Sequence, residues 1–345
     1  MKKVLFVVSV LAALAVVSCN KSQDIPAGEG RPVMVTVSIS GEYTDVTKAT
    51  GVTYSNEEKV NNVQLYIFNN GDLENYTSVD NAKTIEIGAT SGTRTIWALV
   101  NAPVLNDIKT ESALKARTSS LEDNAIDGLV MAGYTTQDLS DGANVPITVK
   151  RMVARVSVQC ITPQFAYSKE SYVMEIQGIY LINVVGSCLY DGTYIDGGTW
   201  YNKLGLVIPE GSSESECAAM LYDASSATIQ NGAPHEVEHV FYPYPNPTVA
   251  SGSYSPTWSV RHTMLVVQVR VVTSGASGTL PVDTVGYYPV ELPVLERNKS
   301  YVIENIILTK NPGSTPYEPL ADDAVSAVIT VDGWAGPVNL GTQYL

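Results

Sequence analysis

The chain is poor in cysteine, histidine and charge. Its 345 residues include 4 Cys and 3 His, and 16% are charged. No CxxC pair occurs, so neither a zinc knuckle nor a redox dithiol is indicated. Setting Cys19 aside leaves Cys160, Cys188 and Cys217, an odd number that allows one disulfide and leaves a thiol over. Cys160 closes an apolar alternation and reads as a buried, unpaired thiol. Positive charge is scarce too: 21 Lys and Arg against 35 Asp and Glu give a net charge of -14. Such a chain repels nucleic acid and anionic lipid, so no nucleic-acid partner is expected. There is no G-x-G-x-x-G, P-loop or G-x-S-x-G, and three histidines make no credible triad, so an enzyme is not expected. The low charge, with 26 Gly, argues against disorder and long helices.

Only one long apolar run is present. Val4 to Val17 follows Lys2 and Lys3 and is too short for a comfortable bilayer span, so it has signal-peptide proportions. It ends in Ser18-Cys19, a small residue and then cysteine, as in a bacterial lipobox. Cys19 is therefore the expected lipidation site and new N-terminus, with residues 1–18 as the lipoprotein signal peptide. Membrane contact is expected only through this lipid. Tyrosine is abundant, 20 residues against 4 Phe and 4 Trp, and reads as an exposed, sticky surface on strands.

Residues 19–48 read as a tether and a removable strand. Val33, Val35, Val37 and Ile39 alternate with Met34, Thr36, Ser38 and Ser40, the period-2 pattern of a half-buried strand. The strand ends at Gly41, and a polar segment leads to Thr47-Lys48-Ala49-Thr50. A cut between Lys48 and Ala49 would release the strand and its lipid together.

Further strands follow: Val60–Phe68, Lys83–Ile87, Thr93–Val100, Leu129–Tyr134 and Val145–Val149. Asn69-Asn70-Gly71 is a strong turn signal. Val104–Lys115 is the best helical candidate, with a second short turn after Ser120. Arg151–Cys160 alternates again, and a domain boundary is placed near 150, giving domains over 49–150 and 151–345. The second half adds Tyr172–Val185, Leu204–Ile208, His235–Tyr244, Met264–Val272, Tyr288–Leu292, Tyr301–Thr309 and Ala324–Val331. Short strands separated by Gly, Pro and Ser indicate sandwiches.

Several motifs imitate catalytic ones. His235-Glu236-Val237-Glu238-His239 fits H-E-x-x-H, but that motif needs a helix to aim both imidazoles at one zinc. Pro234 precedes it, and Pro243, Pro245 and Pro247 follow, so no helix is sustained. On a strand the two histidines would lie too far apart to share a metal without a bend, and no metal or cofactor is expected. Ser112-x-x-Lys115 lacks its companion motifs. Asp191-Gly192 and Asp196-Gly197 are turns rather than calcium loops.

The chain resembles the type V pilus fimbrillins, the major-fimbrium subunit family of Bacteroides-like bacteria. The resemblance rests on the leader ending at Cys19 and on the early strand before Thr47-Lys48-Ala49-Thr50. It rests further on Val63–Gly71, on Val130–Gly133 with Val145–Val156, and on Arg297–Ile303 with Ile306–Thr309. Val328–Trp334 and the tail to Leu345 complete it. The Val-Lys-Arg-x-x-Ala-Arg and Arg-Asn-Lys-x-Tyr segments are the most specific.

The resemblance implies a mainly β chain of two transthyretin-like β-sandwich domains, with a few short helices in the first. It implies export as an outer-membrane lipoprotein precursor, removal of the N-terminal strand by a surface protease, and polymerisation into an extracellular fimbria by strand exchange. The implied partners are other pilin subunits, pilus anchor or tip proteins, and a host or bacterial adhesion ligand. The donor would be tail 335–345, with Ala335, Val338 and Leu340 as its apolar points. The family's best-known cut follows arginine, whereas this chain has Lys48. A lipid-retained anchor that keeps its own strand therefore stands beside the shaft pilin. A surface glycan-binding lipoprotein is the third reading.

Overall fold

The computed structural model describes residues 30–41, 57, 59–165, 172–195, 198–202, 220–249, 260–273, 280–320 and 325–333. The first unit contains β1 (Pro32–Gly41), β2 (Asn62–Asn69), β3 (Asp72–Asp80), β4 (Thr84–Thr90) and β5 (Gly92–Val100), then α1 (Glu111–Lys115). It continues through β6 (Thr118–Ser120), a 3-10 turn at Leu121–Asp123, β7 (Met131–Leu139) and β8 (Asn144–Arg151). The second unit opens with β9 (Arg155–Val158), β10 (Ile161–Pro163), β11 (Val173–Ile182), β12 (Val184–Val185), β13 (Ser187–Leu189) and β14 (Trp200–Tyr201). It then has β15 (Tyr222–Asp223), β16 (Thr228–Gln230), β17 (His239–Phe241), β18 (Met264–Thr273), β19 (Val285–Glu291), β20 (Lys299–Leu308) and β21 (Val325–Gly333). The chain is mainly β with few helices, as expected.

In the first unit the strand order is β3-β2-β5-β7-β8-β1-β4. The sheet folds over at β8, which pairs with β7 at its end and with β1 along its length. Val63, Leu65 and Ile67 of β2 and Ile96 and Ala98 of β5 thus share one core with β1, β4 and β8. The opposite faces of β2 and β5 carry Tyr66, Phe68, Trp97 and Leu99. These enter a larger core that runs through Met152, Val153 and Ala154 into the second unit. There, β17-β9-β20 with β10 and β21 packs against β11-β18-β19 with β15 and β16. The β6–β13 pair is a further tie between the units.

Several local expectations are corrected. β3 lies outside the strands expected from the sequence; Asp72–Asp80 is polar and largely half-buried. It forms because Asn70 and Gly71 adopt φ of 50° and 92°, which closes the hairpin from β2. The helix expected over Val104–Lys115 occupies only Glu111–Lys115. Gln64 Oε1 accepts the Leu105 N–H at 2.8 Å, and the Lys109 carbonyl accepts the Leu73 N–H at 2.9 Å, so 105–109 is laid along the sheet. Thr110 then caps the helix through the Ala113 N–H. The short turn after Ser120 is present, as a 3-10 turn with a capping box.

Arg151–Cys160 is not one strand. The Met152 and Ala154 N–H groups donate to the carbonyls of Val130 and Pro243, which breaks the ladder between β8 and β9. Tyr172–Val185 is divided at Asn183, whose φ is 55°. His235–Tyr244 contains only the three-residue β17. Leu204–Ile208 lies outside the described residues. Cys160 is half-buried, with Sγ 3.4 Å from Thr162 Oγ1, and both it and Cys188 are free thiols. Burial pushes the Cys188 thiol up to about 12, so it is inert at neutral pH. Cys217 lies outside the described residues.

Many of the described tyrosines are core residues rather than a sticky surface. Tyr66, Tyr172, Tyr190, Tyr242, Tyr244, Tyr288 and Tyr301 are fully buried. Their rings fill volume while the hydroxyls find acceptors: Tyr288 donates to the Lys310 carbonyl at 2.7 Å and Tyr301 to that of Val294 at 2.9 Å. Burial raises the Tyr301 phenol to about 12.

Candidate functional site

The element that stands out is β1. It lies between two strands, antiparallel to β4 from Pro32 to Ser38 and parallel to β8 from Thr36 to Gly41. Val33, Val35, Val37 and Ile39 are 8%, 1%, 0% and 7% exposed, so their alternation is realised in full. Met34, on the other face, is exposed. Its N–H donates to Asp141 Oδ1 at 3.1 Å, and its carbonyl accepts the Gly142 N–H at 2.9 Å. At the strand's start, Arg31 and Ser91 exchange hydrogen bonds of 2.9 and 2.8 Å. Gly30 passes so close that a Cβ there would sit 1.9 Å from the Ser91 carbonyl oxygen. Four side chains at about 1.5–3 kcal/mol each place about 6–12 kcal/mol of apolar burial in this one strand, before entropic costs.

β1 is therefore integral to the sheet, yet nearest in sequence to neither of its neighbours. β8 runs toward the second unit, and β1, being parallel to it, brings its Gly41 end to the junction between units. Glu57 is buried at that same junction. Its Oε1 accepts the Tyr242 hydroxyl at 2.5 Å and lies 3.4 Å from Arg155 Nε, while its carbonyl accepts Arg151 Nε at 3.3 Å. Lys48 and Ala49 lie on the connection between these two fixed points and outside the described residues, as does Cys19.

The two segments most specific to the resemblance meet here. Asn298 is buried with φ of 58°, and its Oδ1 accepts both the backbone N–H and Nη1 of Arg151, each at 3.3 Å. Its own N–H donates to the Val153 carbonyl at 2.8 Å. Asparagine suits the site because it tolerates the left-handed conformation and offers an acceptor. Glu57 and Asn298 were not singled out from sequence. Nothing around Glu57 signals burial, while Asn298 sat inside a recognised segment without an assigned role. Asn298→Ala should destabilise the chain by about 2–3 kcal/mol, combining a buried Arg151 left short of an acceptor with backbone strain. Chemical denaturation should show a lowered midpoint without loss of strand content.

β21 is antiparallel to β20 and pairs with no other strand among the described residues. Its last residue, Gly333, pairs with Lys299, next to Asn298, so the chain leaves β21 close to the junction as well. Ala335, Val338 and Leu340 lie beyond it, outside the described residues.

The catalytic-looking motif is not a zinc helix. His235 is bridged to Ile161, and His239 begins β17 opposite Val158. Residues 236–238 between them are not strand, and the rings meet with Nε2 atoms 3.4 Å apart. His239 Nδ1 is 2.6 Å from Asp223 Oδ2.

The first described strand is thus seated between two strands distant from it in sequence, within a chain built of several β-sheets. Residues 32–154 match the profile of the major fimbrial subunit protein (FimA) family. A major fimbrium subunit FimA type-2 of Porphyromonas gingivalis is 28% identical over 57% of this chain, which spans 58% of that protein's length. A type-3 subunit of the same organism is 24% identical, covering 98% of this chain and 99% of its own. The crystal structure of a fimbrilin from Porphyromonas gingivalis W83 superimposes with a TM-score of 0.62 at 16% identity, covering 89% of this chain and 98% of that one. The resemblance read from the sequence is borne out, and the chain is related to the major fimbrial subunits. That family is structural rather than enzymatic.

Proposed function

We propose that this chain is a structural subunit of a cell-surface fimbria that is exported as a lipoprotein, cut after Lys48 and polymerised by strand replacement. The observation that carries this reading is the seat of β1. A strand from the start of the chain supplies four core side chains to a gap between β8 and β4. Its loss would leave an apolar groove flanked by two unpaired strand edges, a surface that demands another strand. The replacement is tail 335–345 of a neighbouring subunit. Residues 334–345 reach about 40 Å when extended, enough to lie along a ten-residue seat of about 33 Å. Acceptor and donor are different surfaces, so the contact is head-to-tail and propagates as an open filament. Partners are further copies of this chain, anchor and tip proteins, a surface protease and an adhesion ligand. The mature form sits in the extracellular fimbria.

N-terminal sequencing of the subunit from sheared fimbriae tests the assignment. A start at Ala49 supports the shaft pilin. A chain that still carries lipid on Cys19 and sits at the fimbrial base makes it the anchor. A surface glycan-binding lipoprotein stays the less favoured alternative, because many of the described tyrosines that prompted it are buried. Cys19→Ala should abolish palmitate labelling and hold the precursor short of the outer membrane, with cell fractionation as the readout. Normal labelling of this variant would remove the lipoprotein route.

A further inference from the structure

The histidine pair has no part in strand exchange, yet its geometry is specific. His239 Nδ1, on a ring only 3% exposed, is 2.6 Å from the Asp223 carboxylate; donating its N–H there, the neutral imidazole carries its lone pair on Nε2. His235 Nε2 lies 3.4 Å from that nitrogen, with the two ring planes inclined by 29°. Two apposed imidazole nitrogens need something electropositive between them, either a proton or a metal ion. A separation of 3.4 Å is long for a hydrogen bond. It fits two nitrogens on one tetrahedral ion at about 2.0–2.1 Å each, which places them about 3.3–3.4 Å apart.

The geometry points to a two-imidazole clamp, His235 and His239, for one divalent transition-metal ion of the zinc or copper class. Imidazole suits these ions, and a carboxylate on the far nitrogen of a ligating histidine is the usual orienting partner. The ladder fixes both backbones. His235 exchanges hydrogen bonds of 2.8 and 3.0 Å with Ile161, and His239 is registered on Val158. The charged neighbours do not oppose a cation. Asp223 is acidic, Glu236 is exposed, and Arg155 is occupied by Glu238 at 3.4 Å and by Glu57. Among the described residues no third His, Cys, Asp or Glu completes the set. The remaining positions belong to water or to an incoming donor, and the site is weaker than a closed four-ligand one. This is not H-E-x-x-H chemistry, since Glu236 takes no part and no helix is involved.

The test is titration of the untagged full chain with Zn2+ by calorimetry, together with Cu2+ electron paramagnetic resonance. One ion per chain should bind, and the copper signal should show coupling to two imidazole nitrogens. His235→Ala, at a half-exposed position, should keep the fold by circular dichroism and weaken binding at least tenfold. Asp223→Asn should weaken it about tenfold by releasing the His239 ring. His262→Ala, at the remaining histidine, should change nothing. Absence of binding at millimolar Zn2+, or affinity unchanged in His235→Ala, would overturn the site and leave a long N–H···N contact. Neither result bears on where the chain is cut or whether it polymerises.

Discussion

Lys48→Ala should convert the subunit into a full-length, lipid-held monomer that forms no filaments. β1 is bonded on both edges and buries four apolar side chains, so spontaneous departure would forfeit about 6–12 kcal/mol of burial along with its ladder. The uncut strand therefore outcompetes a donor tail, because it is covalently attached and already in register. Severing the connection between Gly41 and Glu57 removes that advantage. Glu57, held by Tyr242 and Arg151, keeps the new end of the mature chain docked at the junction while β1 is free to leave. Mass spectrometry should find the variant retaining residues 33–40, and electron microscopy should find no fimbriae. Lys48→Arg should still be cut and assemble. Filaments of normal length built from subunits that keep residues 33–40 would sink strand replacement at this seat.

Deleting residues 335–345 should abolish filaments for the opposite reason. The truncated subunit is cut and open, but offers no strand to its neighbour. β21 remains, paired with β20, so the second unit keeps its core and should fold. Alone, the variant should stay monomeric or aggregate through its open groove. Mixed with wild type, it can accept a tail but not pass one on, so it should cap growing ends and shorten fimbriae in proportion to its share. Length distributions by electron microscopy read this directly. Unchanged lengths in the mixture would show that the donor lies elsewhere in the chain.

The sequence by itself determined most strands and the strand character of β1. A two-residue period over Pro32–Gly41 places alternate side chains on opposite faces whatever the partner. The same local rule located the Asn70-Gly71 turn, since few residues adopt positive φ at low cost. What lies beside β1 was not legible. That β4 and β8 flank it, one antiparallel and one parallel, depends on pairings from about 50 to 110 residues away, which no local pattern encodes. The same holds for Asn298 reaching Arg151, for Glu57 reaching Tyr242, and for tyrosines that composition assigned to the surface. It holds as well for the helix cut short at Thr110, where side chains of β2 capture the backbone before it can coil. Periodicity fixes which face of a strand is apolar. Only the assembled sandwich decides what covers that face, because burial and hydrogen-bond satisfaction are properties of the whole packing.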